Sequence, residues 1–532
     1  MTQAFTPIDI ELYKHLLTAI AEEMGIRLMR SAYSPNIKER RDHSCALFDA
    51  SGRLMAQAAH IPVHLGSAAV SVAAVMEAFD PASMVDGQMF ILNDPYAGGT
   101  HLPDVTAVAP VILEEGQRPA FYVANRAHHA DVGGSRPGSL SLIATIEEEG
   151  VRFGPMPFDK AFIEWFANQT RTPGERCGDL FAQAAALRLG VQRMKDLCTK
   201  RGSSRMSEAG DALIAYSQRM MQAVIRDLPD GCYRFEDALD NDPLKDPNRP
   251  VWIRVALEIE GDHARIDFSE SDDQMQGPLN AVRAITLAAT QYCFRCLGPA
   301  DLPDNAGVLN ALEVITRPGS VVEARYPAAV AAGNVETSQR IVDVLFGALA
   351  QAAPDRVPAA SAGSMTNLTL GGMDPRHADQ KPFAYYETIA GGAGAGPASP
   401  GASCIQIHMT NTLNTPTEAL EHAYPLRVRS VSVRPDSGGT GLHRGGDGMV
   451  RVYEALVPTE VTLIAERHQR PPYGLCGGEP GACGRASLIH LDGRRETLSG
   501  KVERTLNPGE QLVIETPGGG GWGQTDPPAD AR

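Results

Sequence analysis

Five of the fourteen histidines fall between residues 60 and 129, at His60, His64, His101, His128 and His129. Two short strings hold most of them. NDPYAGGTHLPDVT (93–106) carries Asn93, Asp94, His101 and Asp104, and RAHHADVGGSRPG (126–138) carries His128, His129 and Asp131. Imidazole and carboxylate together suit zinc, manganese or iron, and a ligand set with one open position activates water. The three-residue step from His101 to Asp104 lets one loop supply two ligands, and His128 or His129 closes the set from a neighbouring strand end. The same residue types also serve as helix caps, acceptors for loop amides or solvated surface groups, so composition leaves both readings open.

His60 and His64 flank Pro62, which breaks the helix that an i,i+4 histidine pair of a helical zinc site needs. Loop structure and direct chemistry are both compatible with them. Arg40, Arg41, Asp42 and His43 form a polar knot before an apolar run. Asp42 there serves either as a ligand or as a carboxylate paired with arginine.

Other motifs exclude classes of chemistry. GGAGAG (391–396) does not continue into a lysine followed by serine or threonine, and it lacks the strand-to-helix setting of a dinucleotide fingerprint. GTGLHRGGDG (439–448) and GGGGWG (518–523) read as turns or close backbone approaches. No nucleotide loop is evident, and no GxSxG supports a serine hydrolase. Cys293 and Cys296 form the only CxxC, inside AVRAITLAATQYCFRCL, a buried-helix pattern; they read as packed thiols.

The surrounding elements must aim these residues. Apolar groups at Leu12, Leu16, Ile20, Met24 and Leu28 mark a helix over 8–31, and CALFDASGRLMAQA reads as a hairpin turning at Asp49–Gly52. A helix follows near 66–79, then the strands QMFILND, VTAVAPVIL and AFYVANRAHH. Both histidine strings thus sit at strand boundaries, where a rigid scaffold aims side chains into a cleft. Two helices fill 172–230, separated by RGSSRMSEAG. Strands dominate 232–275, TSQRIVDVLFGALAQAAP is a helix ended by Pro354, and LRVRSVSVRP, GMVRVYEAL, TEVTLIAER, ASLIH and QLVIETP are strands. The expected architecture is α+β and multidomain: 1–229 with the metal-binding candidates, a strand-rich 230–330, a β-rich and glycine-loop region 331–524, and a loose tail 525–532.

With 532 residues the chain exceeds one ordinary core, and its 52 glycines lack the period of a collagen. A net charge of −16 without a basic stripe argues against nucleic acid. The absence of an 18-residue apolar run argues against a membrane span. Nine scattered cysteines and a start without a signal-like segment imply a cytoplasmic protein with reduced thiols.

Long ordered strings carry a resemblance. RRDHSCALFDASGRLMAQAAHIPVHLGS, GQMFILNDPYAGGTHLPDVT, NRAHHADVGGSRPGS, DFSESDDQMQGPLNA, AGNVETSQRIVDVLFGAL, YYETIAGGAGAGP, HMTNTLNTPTEALEHAYPLRV, RPDSGGTGLHRGGDGMVR and PGGGGWG cover nearly the whole chain. Together they resemble the hydantoinase B/oxoprolinase family, to which subunits of acetone and acetophenone carboxylases are related. The resemblance implies a hydantoinase B-like fold and a two-subunit cyclic amidase. A hydantoinase A-like ATP-binding partner phosphorylates the carbonyl oxygen of a small cyclic amide, such as hydantoin, 5-oxoproline or a related lactam. The B-type chain then opens the ring with metal-activated water. It further implies a hetero-oligomer containing dimerised subunits, with ATP used by the partner. On this reading a divalent metal, zinc or manganese ahead of iron, rests on His101, Asp104 and His128, with Asp42 as fourth ligand. His129 and Asp131 orient ligands or move protons, and His60 and His64 face the same cleft. Since neighbours in an extended segment point to opposite sides, the choice between His128 and His129 stays open. Glu387, Asn411, Asn414 and Glu418 contact substrate, bracket the glycine loop or join subunits. A ketone carboxylase subunit and a noncatalytic structural subunit are the alternatives.

Overall fold

The computed structural model describes residues 5–64, 66–376 and 380–525. Of the expected tail, all but residue 525 lies outside the described residues. The first helix, α1 (Pro7–Ser31), starts where Thr6 accepts the Asp9 amide and Asp9 returns the bond to the Thr6 amide, a reciprocal cap. Its buried face holds Ile10, Tyr13, Leu17, Met24 and Leu28, while Leu12 is exposed. A strict four-residue step advances 400° around a helix, so the expected stripe drifts off the core; mixed three- and four-residue steps hold it.

After the short α2 (Pro35–Lys38), the strands β1 (His43–Asp49) and β2 (Leu54–Gln57) form the expected hairpin. Then come α3 (Ser67–Ala78), β3 (Phe90–Leu92), β4 (Asp104–Val111), β5 (Phe121–His128) and β6 (Met156–Pro157). These strands form one sheet in the order β2-β1-β5-β4-β3-β6, with every neighbouring pair antiparallel. Both β4 and β5 are buried along their full length, which accounts for their continuous apolar runs.

Next come α4 (Lys160–Ala167), α5 (Pro173–Arg201) and α6 (Ser203–Arg226). The separator expected between the two long helices shrinks to Gly202, at φ +87°. The rest of RGSSRMSEAG is helical because Met206, Ala209 and Gly210 turn inward while the polar residues face out. A second sheet joins β7 (Gly231–Leu239), β8 (Val251–Glu260), β9 (His263–Asp267) and β10 (Leu312–Ile315), with β10 parallel to β9. Three helices interleave here: α7 (Arg283–Leu297), α8 (Gly307–Asn310) and α9 (Ser338–Ala352), the last packed on β7 and β8. Cys293 is buried in α7 and Cys296 exposed, and all nine cysteines are free.

The β-rich remainder comprises β11 (Asn367–Asp374), β12 (Lys381–Thr388), α10 (Thr417–Ala423), β13 (Leu426–Val433), β14 (Met449–Ala455), β15 (Thr459–Ile464), β16 (Arg485–Ile489), β17 (Arg495–Leu498), β18 (Lys501–Leu506) and β19 (Gln511–Glu515). Two antiparallel sheets result, β12-β11-β15-β18 and β13-β14-β19-β16-β17. The mixed α+β architecture with a β-rich C-terminal region matches the expectation. No described helix is long and apolar enough to cross a membrane.

The glycine blocks meet one another. Gly519 donates to Gly446 O at 2.9 Å, Gly446 to Ala393 O at 2.8 Å, and Gly439 to Gly519 O at 2.8 Å. A Cβ on Gly519 would lie 2.0 Å from Ala393 O, and one on Gly446 would lie 2.0 Å from Ala402 O. Segments 391–396, 438–448 and 518–523 therefore lie backbone against backbone, a spacing that only glycine permits.

Candidate metal centre

The register of β4 against β5 places Asp104, the first residue of β4, directly opposite His128, the last of β5. The loop leading into β4 is pinned by Asn93. Its amide donates to Leu102 O (3.0 Å) and Val151 O (2.8 Å), and its oxygen accepts from the Phe153 amide (2.9 Å). That turn brings His101 Nε2 to 3.2 Å from Asp104 Oδ1, and His128 Nδ1 stands 3.4 Å from the same oxygen. The three side chains offer ligand atoms that all lie within 4.8 Å of one another, and all three are buried.

The other Asp104 oxygen is held from outside. Thr100 Oγ1 donates to Oδ2 at 2.9 Å and Asn334 Nδ2 at 3.4 Å, with His64 Nε2 at 3.4 Å. His101 Nδ1 bonds Ala331 O at 3.1 Å, which fixes its ring and leaves Nε2 facing inward. Asp104 Oδ1 and His101 Nε2 have no hydrogen-bond partner among the described residues, and His128 Nδ1 faces the same place. Buried polar atoms are normally satisfied, so orphaned nitrogen and carboxylate atoms converging on one place fit a cation. A cavity of about 20 Å³, the room of one ion or water, opens beside them and is lined by Asp42, His64, Asp104, His128, Asn334, Tyr386 and Thr412 among others.

The electrostatics agree with this fit. Burial alone would raise the Asp104 carboxyl, but His101 and His64 outweigh it and hold Asp104 well below the usual carboxylate range. Burial would lower His101, and the Asp104 charge overcomes it, raising the imidazole. His128 is lowered, chiefly by burial, which favours the neutral ring that a metal binds.

The remaining expected residues divide. Asp42 lines the cavity and its carbonyl accepts the His128 amide at 3.0 Å. His64 lines it too, with Nδ1 on Ser44 Oγ at 2.8 Å. His60 does not: its Nδ1 accepts the Cys45 amide at 3.3 Å and its ring packs on His43, and burial pushes it down to about 4. His129 leaves β5 on the other side, with Nε2 2.9 Å from Gln183 Oε1 on α5. Asp131 pairs with Arg171 at 2.9 Å and accepts the Gly133 and Gly138 amides, closing a loop. Neither His129 nor Asp131 lines the cavity. In the β-rich half, Glu387 is buried among Tyr385, Tyr453, Arg451 and Asn414, whereas Asn411 and Glu418 are exposed.

Sequence reasoning missed Asn334, Glu149 and Tyr386. Asn334 lies in a π-turn (Gly333–Thr337) that precedes α9. Glu149 accepts the Val330 and Ala331 amides at 2.5 and 2.8 Å, steadying the carbonyl that holds His101, and burial pushes its carboxyl up to about 7. A signal for Asn334 existed, because AGNVETSQR is a polar string opening a strongly apolar helix.

Fold and site define a mixed α+β chain with a buried histidine–aspartate cluster able to hold a cation at the end of its first sheet. The chain belongs to the hydantoinase B/oxoprolinase family, which it matches over residues 6–525. It is 41% identical to a protein of Methanocaldococcus jannaschii over 97% of this chain and 90% of that one. It is 36% identical to 5-oxoprolinase 1 of Arabidopsis thaliana over 97% of this chain, but spans only 42% of that relative's length. Among solved structures it resembles the ATP-dependent caprolactamase of Pseudomonas jessenii, with a TM-score of 0.90, 26% identity, and coverage of 98% of this chain and 92% of the other.

Proposed function

We propose that this chain is the ring-opening subunit of an ATP-dependent cyclic-amide hydrolase, acting on an amide that a separate ATP-binding subunit has activated. The observation that carries the reading is the convergence of one ligand atom from each of His101, Asp104 and His128 within 4.8 Å of one another, with Asp104 Oδ1 and His101 Nε2 lacking hydrogen-bond partners among the described residues. Its support is membership in a family with relatives named 5-oxoprolinase and a structural neighbour named ATP-dependent caprolactamase. The chain's own glycine blocks are filled by their own backbones, which is consistent with nucleotide chemistry residing in a partner.

His101, Asp104 and His128 would hold a divalent ion, zinc or manganese, with Asp42 and His64 alongside; such an ion supplies Lewis-acid polarisation and lowers the pKa of water. Ser44 Oγ accepts the Ile61 amide at 3.3 Å and meets His64 Nδ1 at 2.8 Å, which holds the ring with Nε2 3.4 Å from Asp104. Asn334 is anchored on Asp104 through Nδ2, while its buried Oδ1 has no partner. That oxygen offers an acceptor to a substrate amide N–H. The site is closed over by the segments around Val63 and Met409, joined by a bond from Val63 N to Met409 O at 3.1 Å.

The test is to purify the chain with its ATP-binding subunit and assay ATP-dependent opening of hydantoins, 5-oxoproline and larger lactams, with ketone plus bicarbonate as the competing reaction. Ring opening that disappears in His101→Ala and Asp104→Ala supports the proposal. Carboxylation in place of ring opening, or ring opening unaffected by both replacements, overturns it.

A further inference from the structure

Metal-binding histidines generally have their second nitrogen fixed by a hydrogen bond, because the torsion that rotates the ring is soft. His101 has such a bond to Ala331 O and His64 has one to Ser44. For His128, Nε2 has no hydrogen-bond partner among the described residues and Nδ1 faces Asp104. Its ring instead lies flat on Tyr386 from β12, centroids 4.5 Å apart and planes 12° apart.

Tyr386 is itself held on several sides. The Arg40 guanidinium carbon stands 4.9 Å from the centre of the Tyr386 ring. Arg40 also donates to Tyr386 O at 3.1 Å, Thr388 Oγ1 at 2.8 Å and Thr412 Oγ1 at 3.2 Å. A further donation goes to Asn36 Oδ1, and Asn36 Nδ2 reaches His128 O at 2.6 Å. The phenol donates to Asn367 Oδ1 at 2.9 Å, and Asn367 Nδ2 donates to Glu336 Oε1 at 2.6 Å. Tyr386, Arg40 and Glu336 are fully or almost fully buried.

We infer that Tyr386, braced by Arg40, is a positioning residue that sets the plane of the His128 imidazole, so that the β-rich half of the chain completes a site whose three candidate ligands all come from the first sheet and its loop. The stacked face replaces the missing hydrogen bond. The inference rests on the metal reading given above. Removing the ring frees a rotation and spreads His128 over orientations that do not meet His101 and Asp104.

The test titrates metal-free full-length chain with cobalt(II), reading affinity and the visible absorption bands that report ligand geometry. Tyr386→Phe keeps the ring and is expected to bind within about threefold of the native chain. Tyr386→Leu and Tyr386→Met remove the plane and are expected to weaken binding by about 10- to 100-fold, with altered bands. Two such variants are used so that one remains if the other does not fold, and circular dichroism of the metal-free protein selects those that do. Unchanged affinity and unchanged bands in a folded Leu or Met variant overturn the inference while leaving the metal reading intact. Failure of the native chain to bind cobalt, or native binding by His128→Ala, overturns the metal reading and this inference with it.

Discussion

His128 and His129 are consecutive in the chain and face opposite sides of the first sheet. His128 Nδ1 stands 3.4 Å from Asp104, while His129 Nε2 stands 2.9 Å from Gln183 on α5. Their replacement by alanine should therefore separate metal binding from stability. His128→Ala, like His101→Ala and Asp104→Ala, should lose bound divalent metal measured by elemental analysis. His129→Ala should keep it and lose about 1–3 kcal/mol of folding stability, because Gln183 Oε1 is left buried without this partner. Equal metal contents in the two histidine variants would contradict the assignment.

Asn334 should affect turnover more than metal content. Its Nδ2 is only one of the donors around Asp104, alongside Thr100, whereas its Oδ1 is unused. Asn334→Ala is expected to retain the ion and to lower kcat/KM by about tenfold, the worth of one lost hydrogen bond to substrate. Native kinetics in the metal-loaded variant would remove Asn334 from the site.

Acid should weaken the join between the second sheet and the β-rich half. Burial would raise Asp237, but Arg340 at 3.0 Å and Arg467 at 2.7 Å overcome it and hold the carboxyl at about 2. A folded-state pKa below the unfolded one means stabilisation that is fully present above about pH 4 and is lost as pH falls towards 2. Asp237→Asn should cost about 2–3 kcal/mol at neutral pH and flatten that acid decline. Urea unfolding at a series of pH values reads both effects.

The glycine contacts give a contrast within one residue type. Gly519→Ala places a methyl group 2.0 Å from Ala393 O and should destabilise the fold by about 2–3 kcal/mol or more. A methyl group at Gly154 meets nothing within 4 Å, so Gly154→Ala should stay within about 0.5 kcal/mol of the native chain. Thermal unfolding compares the two.

Much of this arrangement was legible in the sequence. His101 and Asp104 stand out because a three-residue step at the start of an apolar strand fixes their relative direction. The same residue types at His129 and Asp131 carried no such constraint. Whether a polar side chain faces a site or ties down a loop depends on which side of the strand it leaves, and the adjacency of His128 and His129 hid that. Strands β13 to β16 and β19 showed clear apolar runs. By contrast, β11 (NLTLGGMD) and β12 (KPFAYYET) are interrupted by glycine and proline, and Tyr386 on β12 consequently went unnoticed. Its role arises from contact with a residue far away in the chain, which no local pattern encodes.

The close approach of the glycine segments also couples distant parts of the chain. Gly518–Gly521 lie between segments contributed by residues near 360, 393, 439, 446 and 479, bonding to backbone atoms of each. Segments far apart in the chain thus share one backbone-to-backbone junction, so a shift of register in any one of them displaces the others.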